Sequence, residues 1–130
     1  MGFTVEIDTQ RLLIVSRWHG EVNELLLRQY VDDAWTAPDR RGYNELIDFT
    51  GVTEVNASFE TIQAMAEYSR QFDNPDGSAR TALVAPTDLI FGLSRMFTSL
   101  RTSDESENRE FEVFESEQQA LQWVAASAPS

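Results

Sequence analysis

The chemistry this sequence could offer rests on five polar side chains: His19, Asp48, Asn56, Ser58 and Asp88. His19 is the one histidine, and cysteine is absent. A zinc site usually takes three or four nitrogen or sulfur ligands, which one imidazole and no cysteine do not supply. The acidic run SDESE, Ser103 to Glu107, lacks the glycine and ligand spacing of a calcium loop and reads as a solvated loop. No metal and no other cofactor is expected. A Ser-His-Asp assembly can be drawn from Ser58, His19 and Asp48. Ser58 sits in Asn56-Ala57-Ser58-Phe59, however, without the Gly-x-Ser-x-Gly turn that lifts a nucleophile out of a sheet, and a triad is defined by geometry. Each residue also has an ordinary structural use. Ser58 would cap a helix by accepting a backbone N–H of its first turn. Asp48 would accept amides of a Thr50-Gly51-Val52 turn. His19, just before Gly20, would be a partly exposed, hydrogen-bonded imidazole.

These residues need elements to position them. The 130-residue chain fits one domain, expected over residues 1–126 with a frayed tail at 127–130. A chain of this length buries enough surface to fold without disulfide or metal. Its net charge is −12, and every basic residue is arginine. Such a surface repels phosphate backbones and anionic membranes, so neither nucleic acid nor membrane insertion is expected. Without lysine there is neither Schiff-base chemistry nor a P-loop lysine. The opening MGFTVEIDTQ has no basic segment followed by an apolar core, and apolar runs reach only about five residues against the roughly twenty of a membrane span. These features predict a cytoplasmic protein.

Alternation predicts a strand over 3–8, and an apolar centre predicts a second over 12–18, joined to the first as a hairpin. Spacing of Val22, Leu26, Tyr30 and Ala34 predicts a helix over 21–35, ended by Ala37-Pro38-Asp39-Arg40-Arg41-Gly42. A third strand is expected over 43–49. A helix over 58–72 would bury Phe59, Ile62, Met65, Ala66, Ser69 and Phe72. After the turn Asn74-Pro75-Asp76-Gly77-Ser78 come a strand over 81–85 and a helix over 87–100 with Leu89, Leu93, Met96, Phe97 and Leu100 inward. A charged loop over 102–109, a strand over 111–114 and a helix over 117–126 complete the chain. The order β-β-α-β-α-β-α-β-α predicts an α/β fold with a mostly parallel five-stranded sheet and helices packed on it.

Three stretches in this order carry a family resemblance: YNELIDFTGV from Tyr43, RTALVAPTDLIFGLSRMF from Arg80 to Phe97, and FEVFESEQQALQWV from Phe111 to Val124. Together they resemble the SpoIIAA-like family, the STAS/lipid-transfer-like group of small bacterial domains, along nearly the whole chain. The resemblance implies a βα superhelix. It also implies binding or regulation rather than catalysis, as in anti-sigma-factor antagonists and transporter regulatory domains. In the antagonist branch a serine at this helix start, within Asp-Ser-Ser-Gly, is phosphorylated. Here Ser58 matches, Asn56 stands for the Asp, and Ala57 and Phe59 depart.

The functional expectations follow. The first is a non-catalytic module making protein contacts at the edge that collects His19, Asp48, Asn56, Ser58 and Asp88, since loops after parallel strands gather at one end. Phe91, with Arg95 nearby, and Trp35 fall off their helix stripes. They suggest an interface with a protein partner or a second copy, a homodimer. An apolar pocket built from Phe91, Phe97 and Trp18, carrying a lipid-like molecule, is the alternative. A hydrolase is the last reading.

Overall fold

The computed structural model describes residues 2–36, 42–72, 79–102 and 109–126. The helix stop expected at 37–42 (except Gly42), the turn at 74–78, most of the charged loop and the tail at 127–130 lie outside them. The elements run β1 (Phe3–Asp8), β2 (Leu13–Asn23), α1 (Glu24–Tyr30), a π-helical turn (Val31–Trp35), β3 (Asn44–Asn56), α2 (Phe59–Ser69) with a 3-10 turn (Arg70–Phe72), β4 (Ala79–Val84), α3 (Asp88–Arg101), β5 (Arg109–Phe114) and α4 (Glu117–Ala125). No helix among the described residues is long and apolar enough to cross a membrane.

The sheet has the spatial order β1-β2-β3-β4-β5. β1 pairs antiparallel to β2, and the pairs β2–β3, β3–β4 and β4–β5 are parallel. The mostly parallel sheet expected from the alternation is thus a mixed one, because the opening hairpin supplies an antiparallel edge strand. Strand alternation divides the side chains between two faces. On one, Ile14, Trp18, Ile47, Leu83, Phe111 and Val113 pack with residues of α1, α2 and α3. On the other, Leu13, Leu46, Ala82 and Val84 pack with Ala120 and Val124 of α4.

Two strands are longer than their sequence suggested. β2 runs on through Gly20, which adopts φ 72°, with register shifts between Arg17 and His19 and between Gly20 and Glu21. The bends let the strand continue to Asn23, so Val22 is buried from a strand and does not open a helix. Asn23 caps α1, its Oδ1 accepting from the Leu26 N–H at 2.9 Å. β3 runs through Thr50-Gly51 instead of turning there. Gly51 faces His19, and a Cβ on it would stand 2.9 Å from the Trp18 carbonyl oxygen. This glycine serves close strand approach rather than a turn.

β4 reaches only Val84, opposite Asp48, whereas β2 and β3 continue side by side to Asn23 and Asn56. The result is a two-stranded arm projecting beyond the rest of the sheet. α2 begins directly after this arm, and α3 beside the end of β4.

Candidate functional site

Ser58 is the N-cap of α2, with extended backbone, and its Oγ accepts from the Thr61 N–H at 3.2 Å. Ser58 Oγ also lies 3.0 Å from Thr61 Oγ1, which donates to Glu24 Oε1 at the start of α1. Asn56, the last residue of β3, donates from Nδ2 to Glu21 Oε2 at 2.5 Å, and Asn23 donates to Glu21 Oε1 at 3.0 Å. Those two amides, Asn56 first, hold the Glu21 carboxyl below its ordinary pKa. The end of the arm is therefore tied to two helix starts by side-chain hydrogen bonds.

The other sequence-selected residues do not join this cluster. Asp48 is buried two residues beyond Leu46, on the sheet face covered by α4, while Ile47 faces the other helices. Its Oδ1 accepts from the Thr50 N–H at 2.8 Å and from Thr50 Oγ1 at 2.5 Å. The expected amide acceptor is present, but within a continuing strand rather than at a turn. His19 is exposed in mid-strand opposite Gly51, its backbone N–H donating to the Gly2 carbonyl at 2.9 Å. Asn56 lies five residues past Gly51, roughly 16 Å along the strand, and Ser58 follows it. His19 and Asp48 stand near the level where β4 ends and α3 follows, whereas Ser58 lies farther out beyond the arm, so these three do not converge on one site. Asp88 is exposed in the first turn of α3, after the cap Thr87, whose Oγ1 accepts from the Ile90 N–H at 3.3 Å.

The interface suggested by Trp35, Phe91 and Arg95 also changes. Trp35 is half-buried; its Nε1 donates to Glu45 Oε2 at 2.8 Å, and its ring packs against Tyr30 and Phe72. Phe91 is half-buried against the main core, and Arg95 is exposed. The buried row of α3 is Ile90, Ser94, Phe97 and Arg101, rotated from the expected one because it includes two polar residues. Leu89, expected inward, is 60% exposed, and Phe59 on α2 is 52% exposed.

The sequence reading missed a polar network inside the sheet face that α1, α2 and α3 cover. The Tyr30 hydroxyl donates to Glu45 Oε2 and accepts from Ser16 Oγ at 3.2 Å, with all three residues buried. Thr81 Oγ1 lies 3.4 Å from Glu45 Oε1 and accepts from Arg109 Nη1 at 2.8 Å. Arg101 is 2% exposed, donates to Ser69 Oγ at 2.6 Å and lies over the Phe111 ring. Burial first, then the charge of Glu45, pushes the Tyr30 phenol well above its usual pKa. A buried carboxylate is tolerated only when donors surround it, which Tyr30, Trp35 and Thr81 do here. The available signal was Glu45 inside an apolar run, where a solvent-facing side chain was not expected.

Three concavities adjoin these groups. A cavity of about 80 Å³, almost wholly apolar, lies between the sheet, the arm and α2 and α3. Trp18, Phe49, Val52, Ile62, Leu93 and Phe97 contribute to its wall, but Phe91 does not. Trp18 Nε1–H is buried without a hydrogen-bond partner among the described residues; the rings of Phe3, Tyr30 and Phe49 surround this indole. A polar cavity of about 40 Å³ adjoins Glu45, Thr81, Arg101 and Arg109. A surface trench of about 720 Å³ separates α1 from α2, with Ser58 in its wall. Among the described residues, no group of three His, Asp or Glu is placed to hold a metal.

The chain has a SpoIIAA-like fold. It is similar to the crystal structure of an uncharacterized protein of the DUF3478 family, with a SpoIIAA-like fold, from Shewanella loihica PV-4. The TM-score is 0.59 at 15% identity, over 95% of this chain and 94% of that one. No protein-family model matches the chain, and no curated protein matches it.

Proposed function

We propose that the protein is a non-catalytic binding or regulatory module that works through protein contacts at the starts of α2 and α3. The observation that carries this reading is the exposure of Phe59 and Leu89 there. Single exposed apolar residues are ordinary. Two large ones at the first turns of two helices packed side by side, Phe59 next to the cap Ser58 and Leu89 next to Asp88, suit a contact with an apolar centre and a polar rim. Ser58 borders Phe59, so a phosphate there would place about two negative charges beside the contact. Phe59 in place of the glycine of the antagonist motif gives this contact a bulkier apolar element. The partner is another protein or a second copy of the chain.

The test is site-specific photo-crosslinking in the native cell, with the reactive residue at position 59, 89 or 119. Position 119 lies on α4, against the opposite sheet face. A discrete adduct from 59 and 89 but not from 119 supports the module. No adduct from either, or equal adducts from all three, overturns it. Sedimentation of the purified chain separates self-association from a different partner.

The apolar cavity favours a second reading, capture of a small apolar ligand. Its volume limits that ligand. A cavity of about 150 Å³ accommodates benzene, and this one, at about 80 Å³, is roughly half that size. A whole lipid enters only if α2 or α3 moves away from the arm. Native mass spectrometry of protein purified from its own cells decides this point. A retained apolar adduct supports the carrier, and bare protein mass removes it.

A further inference from the structure

We infer that the trench between α1 and α2 is a docking groove for a basic amphipathic helix of a partner protein. This site runs along the flank of α2 and adjoins the contact at the helix starts, sharing Ser58 in its wall but not Phe59 or Leu89. The two helices are joined at their N-terminal ends where Thr61 donates to Glu24, and the trench lies between them. At about 720 Å³ it is in the range of specific binding sites. Leu27 and Met65 supply an apolar floor, and Tyr68, 46% exposed, stands at the far end of α2. Glu24, Asp32 and Glu60 line the trench against a single cation, Arg28.

The occupant follows from shape and charge. From Glu24 to Asp32 the wall spans eight residue steps, roughly 12 Å, or about two turns of an opposing helix. Helix-in-groove recognition lays an apolar stripe on such a floor and leaves the flanking residues to meet the walls. Acidic walls select lysine or arginine at those flanks. A second copy of this chain has the wrong sign, since each carries −12. The chain's own acidic run at 103–107 has the wrong sign as well. The wall at Val31 and Asp32 belongs to the π-helical turn, an irregularity frequent at functional sites.

The probe is a synthetic peptide of about 14 residues with leucine at i, i+3, i+4 and i+7 and lysine or arginine elsewhere. A scrambled peptide of the same composition removes the stripe, and an acidic-flanked peptide reverses the charge. Fluorescence anisotropy is read against the native chain and two variants. Ala64→Arg fills the trench from an exposed helical position, and Arg28→Glu removes its cation. The expected result is saturable binding of the amphipathic basic peptide alone, weakened by salt. Ala64→Arg lowers its affinity about tenfold or more, and Arg28→Glu raises it. Circular dichroism melting confirms that both variants are folded. Equal binding of the scrambled peptide, preference for the acidic one, no binding, or indifference to Ala64→Arg in a folded variant each overturns the assignment.

Discussion

Ser58 supports a prediction in which structure and regulation give different answers. Its Oγ accepts one backbone N–H, that of Thr61, and the site is exposed. Ser58→Ala leaves that amide to water, and Thr61 keeps its bond to Glu24. The loss therefore falls near the typical value for caps, about 1 kcal/mol. In a domain of this size that lowers Tm by about 3–5 °C. Ser58→Asp keeps an acceptor of equal capping quality and adds a charge. The α2 dipole favours this charge by about 0.3–1 kcal/mol. Glu60 in the same turn and Glu24 across the Thr61 bridge oppose it by a similar, salt-screened amount. The aspartate variant should remain within about 0.5 kcal/mol of the native chain. Urea denaturation of the native, alanine and aspartate chains measures both differences. The photo-crosslink from position 89 then reads the contact: unchanged in the alanine chain, altered in the aspartate chain. Equal destabilisation by alanine and aspartate would refute the cap as the source of the energy. A crosslink lost in the alanine chain at full stability would show that the hydroxyl itself is recognised.

Three further outcomes follow from the interior. Tyr30→Phe removes the donor to Glu45 and the acceptor of Ser16 Oγ, for a loss of about 3 kcal/mol in urea denaturation; adding Ser16→Ala recovers part of it, and a loss under about 1 kcal/mol contradicts the network. Because burial raises the folded-state pKa of Tyr30, its contribution is fully present below the unfolded value near pH 10 and is lost as pH rises through the folded value. The urea midpoint of the native chain should fall above about pH 10 more steeply than that of Tyr30→Phe, and parallel curves would count against it. Gly51→Ala drives a methyl against the Trp18 carbonyl and His19 Cβ, so it should cost about 1–3 kcal/mol by denaturant titration; a neutral result would show that the arm spreads easily.

Residue pattern settles what depends on neighbours along the chain. The order of strands and helices, the opening hairpin and the Ser58 cap each follow from local pattern and from one turn of backbone, and the structure shows them. Strand length was not legible in this way. Gly51 reads as a turn residue and Gly20 as lying past a strand end, but in the tertiary structure Gly20 bends a continuing strand and Gly51 lets two strands approach. The inner face of α3 was not legible either. Apolar periodicity treats polar residues as outward, whereas Ser94 and Arg101 point inward. The same assumption concealed Glu45, whose donors Tyr30 and Trp35 come from α1 and the π-helical turn after it. Asn44 likewise finds its acceptor on Val124, 80 residues away. A buried polar group is stable only where distant segments bring it partners, and which segments meet is a property of the folded chain. The separation of His19, Asp48 and Ser58 has the same origin, because strand register and side-chain alternation, not residue type, set which groups share a place.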